Sequence, residues 1–131
     1  MRLLLDTHIW VWSVLAPERL TRRVRNALTG PNAESWLSAI SVWEVLLLIE
    51  RGRLKDVEDP EAWVDEALAA GGFHEAPLTH AIARESGRVV LPHRDPADRL
   101  LVATARVLDL TLVTANERLF ETKSCRMLPN P

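Results

Sequence analysis

Short apolar runs alternate along this chain with longer stretches in which apolar residues recur at helical spacing. The first run, "RLLLD" (residues 2–6), is continuously apolar up to its aspartate and predicts a short buried strand. Helical spacing follows in "THIWVWSVL" (7–15), which Pro17 closes, and again in "LTRRVRNAL" (20–28). The chain therefore opens as a strand followed by two helices.

The middle of the chain repeats this order. "ESWLSA" (34–39) predicts a second strand, and "SVWEVLLLIERGR" (41–53) predicts a helix that opens with a capping box between Ser41 and Glu44. "EDPEAWVDEALAAGG" (58–72) predicts a further helix, because an aspartate and a proline start it and a glycine pair stops it.

The alternation continues to the end of the chain. The remaining segments predict a strand, two helices, a strand, a short helix and an edge strand: "FHEAPL" (73–78), "THAIARESG" (79–87), "PHRDPADRLLVATARV" (92–107), "LTLVTA" (110–115), "NERLF" (116–120) and "CRMLP" (125–129). Short apolar strands alternating with amphipathic helices predict an α/β fold with a mainly parallel sheet, formed by residues 1–131 as a single domain. Such sheets bind ligands outside the carboxyl ends of their strands.

The composition indicates a chain without a membrane segment. Of the 131 residues 47% are hydrophobic and 26% are charged, and no apolar stretch approaches the roughly 18–20 residues that span a bilayer. Asp6 interrupts the apolar start after three leucines, so this start does not resemble a signal peptide and a cytoplasmic location is expected. The single cysteine, Cys125, excludes an internal disulfide, and we expect it to be buried or inert in the last strand.

The formal net charge of −2 is not that of a basic nucleic-acid coat. It remains compatible with an enzyme acting on nucleic acid, because a bound metal can supply the local positive charge. Two basic clusters are either solvated surface or contacts for phosphates, namely Arg22, Arg23 and Arg25 in one and Arg51, Arg53 and Lys55 in the other.

Polar side chains follow the predicted strands where helices begin. Asp6 can be an N-cap, Glu44 fits the capping box, and Asp95 fits an N-cap with Asp98 in the first helical turn. Each residue taken alone is explained by helix capping. Together with Asn116, however, all of them fall at strand-to-helix junctions, which share one edge in a parallel sheet.

Carboxylates that converge at one edge need a counter-charge, since several of them cannot stay ionised side by side. Mg²⁺ or Mn²⁺ suits carboxylate and water ligands best. A metal site of this kind can activate a water and neutralise charge on a phosphate. Hydrolysis of a phosphodiester is therefore a chemically coherent use of these acids.

Four segments carry a resemblance to a known family: "LLLDTHIWVW", "AISVWEV", "HRDPADRLLVATA" and "LTLVTANERLF". In this order, across residues 3–120, they resemble the signature segments of PIN-domain proteins, in particular the VapC-type toxins of toxin–antitoxin pairs. The resemblance implies an α/β/α sandwich and an endoribonuclease that uses Mg²⁺ or Mn²⁺ to cut RNA. It also implies a homodimer and a cognate VapB-like antitoxin that occupies the active-site cleft.

The resemblance assigns roles to individual residues. Asp6 matches the first family acid, Glu44 the second and Asp98 the third, while the fourth acidic position falls on Asn116, which departs from the pattern. Asp6 and Asp98 would then ligate the metal directly, and Glu44 would bind it through water or help activate the attacking water. Asn116 brings no charge and would serve as a neutral ligand or support one.

Two further side chains are possible helpers at the same edge. Asp95 can add negative charge to the site or be only the helix cap, and the residues do not separate these roles. Thr114, in the strand before the asparagine, can position a water or a phosphate.

Other kinds of site fit the sequence less well. His8, His74, His80 and His93 lack zinc-ligand spacing, and surface or helix-end positions account for them. An aspartyl phosphotransferase needs a second aspartate two residues after Asp6, where this chain has histidine. A catalytically silent PIN-like binding module, with the acids serving only as caps, is the remaining alternative.

Overall fold

The computed structural model of the protein describes residues 1–55 and 57–131. The five strands are β1 Arg2–Leu5, β2 Glu34–Ser38, β3 His74–Ala76, β4 Thr111–Thr114 and β5 Met127–Pro129. The helices are α1 Thr7–Leu15, α2 Arg22–Thr29, α3 Ala39–Glu50, α4 Pro60–Gly71, α5 His80–Ser86, α6 Pro96–Leu108 and α7 Glu117–Phe120, with a 3-10 turn at Pro17–Arg19. None of the helices in the described ranges is long and apolar enough to cross a membrane.

The strands form one sheet in the order β3-β2-β1-β4-β5, and every pairing is parallel. The prediction of an α/β fold with a mainly parallel sheet is confirmed. The chain leaves β1 toward one side of the sheet and later returns to place β4 against its other side. The carboxyl ends of β1 and β4 therefore flank the point at which the strand order reverses, where open α/β sheets bind ligands.

Helices cover both faces of the sheet. Along β1 the side chains alternate, so Leu3 and Leu5 join one core while Leu4 joins the other. The first core takes apolar residues from α1 to α4, and the second takes them from α5, α6 and α7. This arrangement confirms the α/β/α sandwich and leaves the carboxyl edge of the sheet to carry the polar side chains.

The start of α3 differs from the sequence prediction. The N-cap is Ser38, whose hydroxyl accepts a hydrogen bond from the Ile40 amide at 3.1 Å. The predicted capping box between Ser41 and Glu44 is therefore wrong. Because β2 runs directly into the helix, the last residue of the strand is already in the capping position and Ser41 lies buried within the first turns.

Candidate active site

A cavity of about 350 Å³ lies at the carboxyl ends of β1 and β4. The predicted junction residues that line it are Asp6, Glu44, Asp95, Asp98 and Asn116. The structure thus brings together, from four separate segments, the polar side chains that the sequence placed at a common edge. We call this space the acid cavity.

Asp6 is buried at the end of β1 and serves as the N-cap of α1. Its backbone amide donates to the Val113 carbonyl at 3.0 Å, and its Oδ1 accepts from the Ile9 amide at 2.9 Å. Burial raises the pKa of the Asp6 carboxyl, and a hydrogen bond with the Thr114 side chain opposes this shift only in part. The residue is therefore a helix cap and also a carboxylate poorly compensated for its loss of water.

Glu44 reaches the cavity from α3. Its Oε1 accepts a hydrogen bond from the Thr7 hydroxyl at 2.5 Å, and the hydroxyls of Thr7 and Ser41 are 3.1 Å apart. Burial, followed by the nearby charges of Asp95 and Asp98, raises the pKa of the Glu44 carboxyl. Thr7 thus orients the glutamate from α1 and does not cap that helix.

Asp98 is held by two donors on one oxygen. Its Oδ2 lies 2.7 Å from His93 Nε2 and 2.9 Å from Asn116 Nδ2. Burial is the main cause that raises the pKa of the Asp98 carboxyl, while the hydrogen bond with His93 lowers it. Since an ionised carboxylate only accepts hydrogen bonds, the proton belongs on Nε2 of the imidazole. Oδ2 is therefore occupied by neighbours of the protein, and Oδ1 is the oxygen left for other contacts.

Asn116 faces Asp98 with its amide nitrogen. Its Oδ1 accepts from the Arg118 amide at 3.1 Å and caps α7. Both ends of this side chain are thus engaged within the protein, which favours a supporting position over a place among the metal ligands.

The two predicted helpers occupy different positions. Asp95 caps α6 by accepting from the Ala97 amide at 3.0 Å, and it also lines the acid cavity. Thr114 is fully buried beneath Asp6, and its hydroxyl accepts from the Asn116 amide at 3.0 Å. Asp95 is therefore a helix cap that also faces the acid cavity, whereas Thr114 contacts Asp6 and is not among the residues that line the cavity.

Sequence reasoning missed the contact of His93. It was expected at the surface or at a helix end, but its side chain is only 10% exposed and its Nδ1 is buried without a hydrogen-bond partner among the described residues. The available signal was its place five residues before Asp98, in a loop that must fold back along the start of α6. No periodicity marks such a contact, because loop geometry decides it.

The donor set of the acid cavity fits a hard divalent cation. Within residues 1–55 and 57–131 no His, Cys, Asp and Glu side chains stand grouped as a ready-made metal site. The carboxylates of Asp6, Glu44 and Asp98 nevertheless line one small space, and the pKa of each is raised chiefly by burial. Oxygen ligands with unbalanced negative charge are the kind that Mg²⁺ and Mn²⁺ bind.

Cys125 lies outside this chemistry. The sequence predicts Cys125 within the last strand, but the residue precedes β5, which begins at Met127. Burial raises the pKa of its thiol to about 11. The side chain is therefore a neutral thiol at physiological pH and a poor nucleophile.

Comparison with known proteins places the chain in a family. A model of the PIN domain matches residues 3–124. Ribonuclease VapC22 of Mycobacterium tuberculosis is 32% identical over 119 residues, which cover 88% of each chain.

Two solved structures share the fold. A chain of VapBC2 from Rickettsia felis, bound to a DNA fragment from its promoter, superposes with a TM-score of 0.73 at 17% identity and covers 98% of both chains. A chain of DNA-bound VapBC from Salmonella typhimurium also gives 0.73, at 15% identity, covering 100% of this chain and 99% of that one. Identities this low show the fold alone. The family assignment rests on the match to the PIN domain model and on the 32% identity to Ribonuclease VapC22. On those two findings, this chain belongs to the PIN domain family.

Proposed function

We propose that this protein is a metal-dependent endoribonuclease that hydrolyses RNA phosphodiester bonds as the toxin of a type II toxin–antitoxin pair. Family membership and the 32% identity to a ribonuclease of the VapC type support the activity. The observation that carries the proposal is the convergence of Asp6, Glu44 and Asp98 on one cavity, with the pKa of each carboxyl raised by burial.

The side chains divide into ligands and supports. Asp6 and the free Oδ1 of Asp98 would hold Mg²⁺ or Mn²⁺, which supplies Lewis-acid stabilisation of charge on the phosphate and lowers the pKa of a bound water. Glu44, held by Thr7, is placed to bind through water or to accept a proton from the attacking water. Asp95, which lines the cavity, adds negative charge near Glu44 and Asp98.

His93 and Asn116 act on Asp98. Both donate to Oδ2, so they fix the rotation of the carboxylate and leave Oδ1 directed away from them. The neutral residue at the fourth family position thus has a role that needs no charge. A carboxylate there would instead repel Oδ2 of Asp98 unless a cation or a proton lay between them.

The same relatives support proposals about the partners of this chain. The structural neighbours are VapBC assemblies, which supports a VapB-like antitoxin for this chain. An RNA substrate and a cytoplasmic location belong to the same proposal. Large apolar side chains on α1 and α3 remain exposed, with Leu15 and Trp43 each 50% accessible. These side chains support a homodimer, in which a second copy would cover them.

The direct test is RNA cleavage by the purified chain with Mn²⁺ or with EDTA, compared between wild type and Asp6→Asn. Asparagine caps a helix as well as aspartate does, so the substitution removes the charge and keeps the start of α1. Asp59→Asn is the matched control, because Asp59 is also an N-cap but is exposed at the start of α4.

We expect wild type to cleave RNA with Mn²⁺ and not with EDTA. Asp6→Asn should abolish this cleavage, and Asp59→Asn should cleave like wild type. Equal cleavage by wild type and Asp6→Asn would refute the assigned site. Absence of cleavage together with absence of Mn²⁺ binding in calorimetry would favour the catalytically silent module. A phosphate found covalently attached to Asp6 by mass spectrometry would favour a phosphotransferase.

A further inference from the structure

A second cavity, of about 460 Å³, adjoins the acid cavity and shares His8 and Trp12 with it. The side chains that line it and carry charge are Arg19, Arg53 and, when protonated, His8. We call this space the cationic cavity. Opposite charges thus meet across a boundary formed by one histidine and one tryptophan.

Arg19 is held by an aromatic stack and not by an ion pair among the described residues. Its guanidinium carbon lies 4.2 Å from the centroid of the Trp12 ring, and its backbone carbonyl accepts from Asn130 Nδ2 at 3.1 Å. The guanidinium makes no ion pair with any residue that the structure describes. Stacking on an aromatic ring leaves the five N–H donors of the group at its edge, directed to a ligand or to water.

Arg53 lines the same cavity from the loop after α3. It follows α3, and its backbone amide donates to the Leu48 carbonyl at 2.8 Å, which ties the loop to the helix end. Its side chain is exposed and forms no ion pair within the described ranges. One member of a basic cluster that the sequence left unexplained thus lines a cavity beside the carboxylates.

The cavity also has an apolar lining, made by Val11, Leu48 and Leu54, which we call its apolar floor. Phosphate oxygens match the forked donors of arginine, and the face of a base or a ribose matches an apolar surface. Both chemistries are present in an RNA strand. They occur here beside carboxylates that suit metal-assisted cleavage of such a strand.

A larger cavity of about 860 Å³ also adjoins the acid cavity and shares Arg118 with it. Glu117 and Glu121 also line it, so its charged side chains sum to one negative charge when all are ionised. Phosphates would be repelled there. By charge, the cationic cavity is therefore the better site for phosphates than this larger cavity.

We infer that the cationic cavity is an RNA-binding subsite, in which Arg19 and Arg53 bind the phosphates that flank the bond to be cut. This inference rests on the proposed ribonuclease function. Trp12 holds the Arg19 guanidinium for phosphate contact, and the apolar floor takes a ribose or a base. RNA would then run from the subsite past His8 into the acid cavity.

The test measures RNA binding apart from cleavage. A short, fluorescein-labelled single-stranded RNA of mixed sequence is titrated with the purified chain in EDTA, and anisotropy is followed over a series of salt concentrations. The variants are Arg19→Ala/Arg53→Ala, the charge-preserving Arg19→Lys/Arg53→Lys, and Arg22→Ala/Arg23→Ala. The last removes the same charge from the exposed surface of α2 and is the matched control.

Each lost phosphate contact on single-stranded nucleic acid lowers the slope of log affinity against log salt by about 0.7. We therefore expect the slope of the double alanine variant to fall by about 1.4 and its affinity at low salt to fall roughly tenfold. The lysine variant keeps most of the slope, and the α2 control changes it by much less. Circular dichroism of each variant confirms the fold.

A double alanine variant that binds RNA with the wild-type slope would overturn the subsite. The same holds if the α2 control loses as much slope, because the effect would then be one of net charge. Metal-dependent cleavage by wild type alongside either result would leave the proposed function intact. If the wild-type chain neither binds nor cleaves RNA, the proposed function fails together with this inference, and the cavity is left to a protein partner.

Discussion

The acid cavity and the cationic cavity lie side by side but are built in different ways. Asp6 lies at a strand end, Asp98 in the first turn of α6 and Glu44 within α3, and each carboxylate accepts a hydrogen bond that helps to fix it. Arg19 and Arg53 extend from a turn and a loop, and a single aromatic stack orients one of them. The carboxylates are therefore more firmly held than the arginines, which suits the proposed division between chemistry in the acid cavity and RNA binding in the cationic cavity.

The charged side chains of the two cavities also differ in how much hydration they lose when the chain folds. Burial raises the pKa of the carboxyls of Asp6, Glu44 and Asp98, so their ionised forms oppose folding at neutral pH. The exposed arginines carry little such penalty, because water still solvates them. Neutralising a carboxylate of the acid cavity should therefore change both RNA cleavage and the stability of the fold. Changes to the arginines of the cationic cavity should change RNA binding alone.

The largest expected effect comes from neutralising the acid cavity at Glu44. Glutamine keeps an oxygen that accepts from Thr7 but cannot take a proton from water, so Glu44→Gln should lower the rate of metal-dependent RNA cleavage by about 10²–10⁴-fold. Single-turnover cleavage at saturating Mn²⁺ measures this rate. Glu18→Gln, at an exposed glutamate, is the control and should cleave normally. A Glu44→Gln rate within twofold of wild type would contradict the role.

Removal of the support behind Asp98 should have a smaller effect. His93→Ala frees the Asp98 carboxylate to rotate, and we expect the Mn²⁺ affinity of the protein without RNA to fall by roughly 10–100-fold. His93→Gln offers an amide donor and should restore part of the affinity. Calorimetry measures both.

The expected effect of His93 on Mn²⁺ affinity needs a control in which a different histidine is removed. His80→Ala alters an exposed histidine on α5 and should bind Mn²⁺ like wild type. Equal loss in His93→Ala and His93→Gln would show that the imidazole acts by filling space. An unchanged affinity in both would show that Asn116 alone positions Asp98.

Much of the acid cavity was predictable because its residues obey local rules. Asp6 and Asp95 follow apolar strand or loop segments at helix starts, and their capping positions are visible in sequence. The parallel topology follows from the alternation of elements, and topology then brings the strand ends together. The same regularity explains why a helix cap and a site residue can be one side chain.

The contacts that the sequence did not predict depend on packing between segments. Thr7 meets Glu44 across 37 positions, and the start of α3 was placed at Ser41 because a capping motif occurred there by chance. His93 folds back in a loop without periodicity, and Arg19 joins Trp12 through a tight turn. No spacing rule reports which side chain of one segment touches another.

A third expectation compares the cavities through RNA binding. Without metal, the negative acid cavity should repel the phosphate that the cationic cavity draws toward it. In EDTA, Glu44→Gln should bind the labelled RNA about fivefold more tightly than wild type, since one charge a few ångströms away contributes about 1 kcal/mol in water. Glu66→Gln, at an exposed glutamate on α4, is the control here, because Glu18 adjoins Arg19. Weaker binding by Glu44→Gln would show that the RNA does not approach this carboxylate.

The smallest effect is expected in the pH dependence of stability. Because burial holds the folded-state pKa of the Glu44 carboxyl above its unfolded value, the group is protonated in both states at low pH and contributes no difference there. As pH rises through the folded pKa, ionisation favours the unfolded chain. From about pH 4 to about pH 8 in EDTA, the melting temperature of Glu44→Gln should therefore rise relative to that of wild type. Scanning calorimetry of both proteins, with Glu18→Gln as the exposed control, measures the difference. Mn²⁺ should reduce the difference in melting temperature, because it stabilises wild type more than the variant. A difference that stays constant over this pH range would contradict the expectation. It would show that the Glu44 carboxylate is adequately solvated in the folded protein and is not destabilised by its neighbours in the acid cavity.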